Sequence, residues 1–122
     1  MSTEYKILLV DDDPIFLILA ELAIKKERSD ISFFKANNGE EALSFLNGEE
    51  VDTIFLDLNM PVMNGWEFLE TIGQKENVKN KIHILTSSID PSDKKKAEEN
   101  PLVLSMLEKP LDKIKIELTI RK

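Results

Sequence analysis

The sequence contains no cysteine and a single histidine, His83, among its 122 residues. The lack of cysteine excludes disulfides, thiolate zinc sites and cysteine nucleophiles, and one histidine excludes a metal site built from several histidines. The longest apolar run covers residues 15–20, far short of the ~20 residues that a membrane-spanning helix needs. Residues 1–6 also lack the basic start and apolar stretch of a secretion signal. We therefore expect a cytoplasmic protein that is not inserted in a membrane.

Positive charges are outnumbered by negative charges. Sixteen Lys and Arg residues against 23 Asp and Glu residues give a net charge of −7. Because phosphate contacts require clustered cations, such an acidic chain is a poor candidate for direct nucleic-acid binding. The length suits one compact domain and not two, and 42% apolar residues suffice for a sizeable core. We expect a single domain over residues 1–122.

Apolar segments alternate with helical patterns along the chain. The predicted strands are residues 5–10, 31–36, 53–56, 81–85 and 102–107, and the predicted helices are residues 14–27, 40–46, 65–74, 91–99 and 112–120. The first helix is predicted from the Asp13-Pro14 cap signal and from apolar residues at helical spacing, namely Ile15, Leu19, Leu22 and Ala23. Five strand–helix units in series, with almost continuously apolar strands, predict a parallel sheet with helices on both faces.

Acidic, hydroxyl or basic side chains follow four of the five predicted strands. In an open α/β sheet, ligands bind beyond the carboxyl ends of the strands, at the point where the strand order reverses. That edge should therefore bring together three carboxylates after the first strand, one carboxylate after the third, one hydroxyl and one ammonium group: Asp11, Asp12, Asp13, Asp57, Thr86 and Lys109.

The carboxylates at this edge have two interpretations. Asp11, Asp12 and Asp57 in one pocket would repel one another and raise their pKa values, and Mg²⁺, which prefers carboxylate and water oxygens, would relieve that repulsion. Alternatively the acids are solvated at a strand end, and we interpret Asp13 as a helix cap. Asp57 is either an ordinary turn residue or a nucleophile that attacks phosphorus to form an acyl phosphate, with the metal neutralising the phosphoryl oxygens.

Lys109 and Thr86 have similar pairs of interpretations. A lysine at the end of a buried strand is costly unless its ammonium finds an anion, although it could also extend to solvent. Pro110 permits a cis peptide bond, which would help to aim Lys109 into the pocket. Thr86 offers a hydroxyl donor, or it simply begins a polar loop.

Taken together, these segments resemble the receiver domain of bacterial two-component response regulators. The resemblance covers essentially the whole chain and rests on residues 6–13, residues 57–65, Thr86 and Lys109-Pro110. It implies a flavodoxin-like α/β fold, a doubly wound five-stranded parallel sheet of order 2-1-3-4-5 with helices on both faces. It also implies a signalling module and not an enzyme. Such a module accepts a phosphoryl group from a histidine kinase or phosphotransferase and then controls a partner protein, or an effector domain absent from this chain.

The resemblance assigns the metal and the phosphoacceptor to particular residues. Asp57 would be the phosphoacceptor. The side chains of Asp12 and Asp57 and the backbone carbonyl of Asn59 would bind Mg²⁺, while Asp11 would act largely through a bound water.

The resemblance also assigns the switch and the residues that tune it. Lys109 would pair with one phosphoryl oxygen, and the hydroxyl of Thr86 would move onto another. Asn59 and Ser88 would tune hydrolysis of the acyl phosphate, and because both are small and polar we expect dephosphorylation that is neither blocked nor exceptionally fast. Met106 occupies the strand position that usually carries an aromatic residue, and a flexible methionine could fill that space without a defined two-state rotamer.

The remaining expectations concern partners and nearby residues. The implied output surface is the fourth helix, fifth strand and fifth helix, which would contact an unknown downstream protein or support a phosphorylation-dependent dimer. The lysines at 94–96 are expected to form a solvated face. His83 is expected to pack within the fourth strand, and Gly65 is expected to permit the turn into the third helix.

Two other classes have related topologies. A magnesium-dependent phosphohydrolase would use an aspartate after the first strand, which Asp11 and Asp13 could mimic, but such enzymes are larger, carry a substrate-binding cap and have Thr or Val in place of Pro14. A flavin-binding electron carrier needs a phosphate-cradling loop after the first strand, where three aspartates would repel a phosphate. Turnover of a small phosphate ester would identify a phosphohydrolase, and we expect none.

Overall fold

The computed structural model describes residues 4–75 and 77–120. Its strands are β1 (Tyr5–Val10), β2 (Ile31–Ala36), β3 (Thr53–Leu56), β4 (Lys81–Thr86) and β5 (Val103–Glu108). Its helices are α1 (Pro14–Glu27), α2 (Gly39–Leu46), α3 (Gly65–Ile72), α4 (Pro91–Glu99) and α5 (Lys113–Thr119). All ten predicted elements are present. Their ends differ from the prediction by at most two residues, most at α3, which ends at Ile72 because Gly73 caps it.

The sheet topology confirms the predicted fold. All five strands are parallel and lie in the order β2-β1-β3-β4-β5. The chain moves outward from β1 to β2 and then crosses back to β3 on the other side, so the strand order reverses between β1 and β3. Val10, the last residue of β1, is paired with Leu56, the last residue of β3. The residues that follow these two strands therefore emerge side by side at the reversal point.

Each face of the sheet has its own hydrophobic core. Alternate residues of β1 supply both cores, since Leu8 and Val10 pack under α2, α3 and α4 while Ile7 and Leu9 pack under α1 and α5. Burial of each such side chain contributes ~1.5–3 kcal/mol. Because both faces of the strands are covered, the sheet edge at the strand ends is left as the accessible place for chemistry.

Helix α1 forms where predicted, but the residues that it buries are not those whose spacing predicted the helix. Its buried residues are Phe16, Leu17, Ala20 and Ile24. The residues at i, i+3, i+4 and i+7 on the other side are 53–68% exposed, and we call this set the α1 stripe: Ile15, Ile18, Leu19 and Leu22. The apolar spacing from which the helix was predicted therefore lies mostly on its solvent face. The first turns are apolar nearly all round, so periodicity could not identify the buried side.

The predicted helix starts are confirmed by their hydrogen bonds. The side chain of Asp13 accepts from the backbone N–H groups of Ile15 and Phe16 at the start of α1. Asp90 accepts from the N–H of Ser92 at the start of α4. Across the described segments, no helix combines the length and the apolar character needed to cross a membrane.

Candidate functional site

Three carboxylates meet at the carboxyl edge of the sheet. One side-chain oxygen from each of Asp11, Asp12 and Asp57 lies within 4.8 Å of the others. Asp11 and Asp57 are 1% and 5% exposed, whereas Asp12 is exposed. The backbone of the neighbouring strands fixes the two buried acids, since the N–H of Asp57 donates to the carbonyl of Val10 at 2.9 Å and that of Asp11 donates to Ala36 at 3.0 Å. The structure thus brings together the three acids that the sequence placed at this edge.

Lys109 reaches these acids from the end of β5. Its Nζ lies 2.6 Å from Oδ2 of Asp11 and 3.9 Å from Oδ1 of Asp57. Its backbone N–H donates to the carbonyl of Thr86 at 2.8 Å, and the Lys109–Pro110 peptide bond is cis. Of the two interpretations left open by the sequence, the lysine that pairs with a buried anion is the one observed.

Asp57 is short of compensating positive charge in this arrangement. The pKa of Asp57 is raised from 3.8 to about 6, mainly by burial and in smaller part by the negative charge of Asp11. The ammonium of Lys109 and a hydrogen bond from the backbone of Asn59 oppose the rise without cancelling it. The rise agrees with the repulsion expected from the sequence. A buried carboxylate with a raised pKa is stabilised by binding either a proton or a cation.

Thr86 ends β4 next to the site and is 1% exposed. Its Oγ1 donates to the carbonyl of Ser88 at 3.1 Å, so the hydroxyl is engaged within its own loop and not with the acids. The side chains of Asn59 and Ser88 are exposed. Met106 is partly buried and packs against the core under α2, α3 and α4.

Gly65 lies against the loop that follows β3, residues 57–64. A Cβ at this position would lie 2.5 Å from the carbonyl oxygen of Asp57 and 2.9 Å from Cα of Leu58, both backbone atoms. The N–H of Gly65 donates to the carbonyl of Leu58 at 3.0 Å, and its φ is not positive. The close approach of two backbones therefore requires the glycine where the loop turns into α3, as expected, although no positive φ is involved.

The same loop holds one residue in an unusual conformation. Val62 has a φ of 68°, a region that β-branched residues rarely adopt. The N–H of Met63 donates to the carbonyl of Pro61 at 2.7 Å across it, which makes a tight three-residue turn. Its side chain is exposed, so the strain shapes the loop and not the core.

Sequence reasoning missed one member of the site. The Nζ of Lys109 lies 4.3 Å from the ring centroid of Phe16, which is within the range of a cation–π contact. Phe16 lies three residues after the capping residue Asp13, so the first turn of α1 places it at the sheet edge. This spacing of three residues from the cap is the sequence feature from which the position of Phe16 could have been predicted.

The fold and the site together define the class of protein. The family model described as the response regulator receiver domain matches residues 7–121. The chain belongs to this family.

Curated relatives of this chain are longer proteins. The transcriptional regulatory protein GlrR of Escherichia coli (strain K12) is 38% identical over 107 residues, which is 88% of this chain and 23% of that protein. The cell cycle response regulator CtrA of Brucella ovis is 34% identical over 89 residues, which is 73% of this chain and 37% of that protein. The chain thus spans well under half the length of these relatives.

Solved structures show the same fold over nearly the full chain. A two-component response regulator from Cytophaga hutchinsonii has a TM-score of 0.87 at 29% identity, covering 98% of this chain and 95% of that one. The chemotaxis protein CheY4 of Vibrio cholerae has a TM-score of 0.82 at 26% identity, covering 96% of each chain.

Proposed function

We propose that the chain is one receiver domain, residues 1–122, of a cytoplasmic two-component phosphorelay, in which Asp57 accepts a phosphoryl group from a histidine kinase or phosphotransferase. The observation that carries this proposal is the state of Asp57. Its carboxylate is buried beside two other acids, is only partly compensated by Lys109 and has a raised pKa. Family membership supports the same role.

The transfer step is a displacement at phosphorus. An oxygen of Asp57 forms a bond to the phosphorus of a phosphohistidine as the P–N bond breaks, and the bonding electron pair stays on the imidazole nitrogen. The product is an acyl phosphate on Asp57. The ammonium of Lys109, 3.9 Å from Asp57, is near enough to pair with an oxygen of the incoming group.

The acids at this edge fit a magnesium ion. Their donor set is made of carboxylate oxygens, which Mg²⁺ prefers, and the raised pKa of Asp57 reflects a lack of positive charge there. Asp12, Asp57 and the carbonyl of Asn59 would hold the ion, while Asp11, which is paired with Lys109, would act through water. When bound, the ion neutralises charge on the phosphoryl oxygens.

The response to phosphorylation is a shift between two conformations. The hydroxyl of Thr86, which donates to Ser88 here, would turn towards the phosphoryl group, and Met106 would repack with it. Asn59 and Ser88 are small and polar and their side chains are exposed, which supports dephosphorylation that is neither blocked nor exceptionally fast. The chain turns over no separate substrate in this proposal.

Two surfaces are available for protein partners. The α1 stripe begins at Ile15, two residues after the capping residue Asp13 at the rim of the site, so a histidine-bearing donor that reaches Asp57 would cover it. The face formed by α4, β5 and α5 is the proposed output surface, for a downstream protein or a phosphorylation-dependent dimer. The net charge of −7 supports a protein target over direct nucleic-acid contact.

The proposal is tested by labelling with a small acyl-phosphate donor and Mg²⁺, followed by intact mass measurement. The unmodified chain should gain one base-labile phosphoryl group, and Asp57→Asn should gain none. Asp13→Asn is the matched control, because it removes the same charge next to the site while an asparagine can still cap α1. Equal labelling of Asp57→Asn and the unmodified chain would refute the assignment of Asp57.

A further inference from the structure

Lys115, on helix α5, contacts the loop that carries Lys109. Its Nζ donates to the carbonyl of Glu108 at 2.6 Å and to the carbonyl of Pro110 at 3.1 Å. Glu108 directly precedes Lys109 and Pro110 directly follows it. One ammonium group therefore bridges the backbone on both sides of the lysine that faces Asp57.

The ammonium of Lys115 is itself held by the helix. The backbone N–H of Lys115 donates to Oδ1 of Asp112, the capping residue of α5, at 3.0 Å, and its Nζ lies 3.9 Å from the other oxygen of the same carboxylate. The next residue, Ile116, is buried in the core under α1 and α5. The packed helix thus sets the position of the Lys115 side chain, which is 24% exposed.

Lys109 itself is held at both its backbone and its side chain. The N–H of Lys109 is already tied to the carbonyl of Thr86, and its side chain extends to Asp11 and Asp57. Hydrogen bonds from a charged donor are stronger than neutral ones, so two of them from Lys115 restrict the carbonyls on either side of Lys109. Without them, both carbonyls would lose a charged donor, and the direction of the Lys109 side chain would be less defined.

We propose that Lys115 is a positioning residue for phosphoryl transfer, which holds the loop of residues 108–110 so that the ammonium of Lys109 faces the acceptor carboxylate. The proposal rests on the proposed role of Asp57 as phosphoacceptor. Lys115 itself touches neither the acids nor the incoming group, and its effect passes entirely through Lys109.

The chain offers a matched control for testing this residue. Lys113 is exposed on the same helix, so Lys113→Met removes the same charge without touching the loop. Labelling of Asp57 by a small acyl-phosphate donor with Mg²⁺ should be three- to tenfold slower in Lys115→Met and within twofold of normal in Lys113→Met. Lys115→Arg should recover most of the rate, because a guanidinium can also donate to two carbonyls.

A double-mutant cycle separates positioning from a general loss of structure. Lys109→Ala should still be labelled, more slowly, and adding Lys115→Met to it should change the rate by less than twofold, since no Lys109 ammonium remains to be positioned. A similar slowing in both backgrounds, or no slowing in the unmodified background, overturns the proposal. Failure of the unmodified chain to become labelled at all would instead overturn the role of Asp57, and this proposal with it.

Discussion

Two buried side chains should give the metal-free protein opposite and nearly cancelling pH dependences of stability. The pKa of Asp57 is raised from 3.8 to about 6, mainly by burial and in smaller part by the charge of Asp11. Burial lowers the pKa of His83 from 6.5 to about 4, with a smaller contribution from the charge of Lys81. His83 is 6% exposed, with Nδ1 2.6 Å from Oγ of Ser105. No described residue is a hydrogen-bond partner of its Nε2.

The sign of each pH dependence is set by whether the folded or the unfolded chain binds more protons. Between pH 6.5 and 4 the unfolded chain protonates His83 and the folded chain does not, so stability is lost as the pH falls through this window. Between pH 3.8 and 6 the folded chain protonates Asp57 and the unfolded chain does not, so stability is lost as the pH rises. At 1.36 kcal/mol per pKa unit, each effect amounts to about 3 kcal/mol over its full window.

Urea unfolding in EDTA between pH 4 and 7 tests this pair of effects. The unfolding free energy of the unmodified chain is subtracted from that of each variant. The pH dependence that the other carboxylates contribute to both proteins then cancels. His83→Phe should become relatively less stable as the pH rises from 4 to 7, because the Asp57 effect is no longer opposed. Asp57→Asn should become relatively more stable over the same range, because the His83 effect remains. The reasoning is refuted if both variants follow the pH profile of the unmodified chain.

Three other outcomes follow from the site and its surroundings. Gly65→Ala should destabilise the protein by about 1–3 kcal/mol in urea unfolding, because its Cβ would meet backbone atoms, whereas Gly48→Ala, with open space around it, should be neutral or stabilise slightly. A Mg²⁺ concentration one hundred times its dissociation constant should stabilise the unmodified chain by about 2.7 kcal/mol, and thermal unfolding of Asp12→Asn should show little of this gain if Asp12 is a ligand. Leu19→Glu, in the exposed α1 stripe, should change stability by less than ~0.5 kcal/mol and leave labelling by a small donor unchanged. Leu19→Glu should also slow transfer from a histidine kinase or phosphotransferase that labels the unmodified chain, and an equal rate would remove the stripe from the donor interface.

The sheet and its edge were predictable because their signals are local. Each strand is a short apolar run that ends at a polar residue, and a parallel sheet brings the strand ends to one edge whatever the details of packing. The convergence of Asp11, Asp57 and Lys109 follows from that rule, and the distances of 2.6 and 3.9 Å confirm it. The strand order itself came from the resemblance, since local patterns do not determine which strands become neighbours.

Features that depend on side-chain packing could not be predicted in the same way. The buried side of α1 could not be identified from the sequence because apolar residues cover both sides of its first turns. The cation–π contact of Phe16 and the loop bridge of Lys115 depend on where two separate elements meet. Gly65 is needed because the backbone of Asp57 and Leu58, several residues earlier in the chain, passes close to it. That contact is known only once the loop after β3 is in place.

The unequal distances from Lys109 to the two buried acids favour Asp57 over Asp11 as the proposed phosphoacceptor. Lys109 lies 1.3 Å nearer to Asp11, at 2.6 Å against 3.9 Å, and Asp11 also accepts a hydrogen bond from the N–H of Asp13 at 2.9 Å. Asp11 is therefore well compensated and acts on Asp57 as a fixed negative neighbour. Asp57 is left with the larger unmet demand for positive charge, which a divalent ion can supply. The same asymmetry leaves Lys109 within reach of a group arriving at Asp57, so the lysine can exchange one anion for another without crossing the pocket.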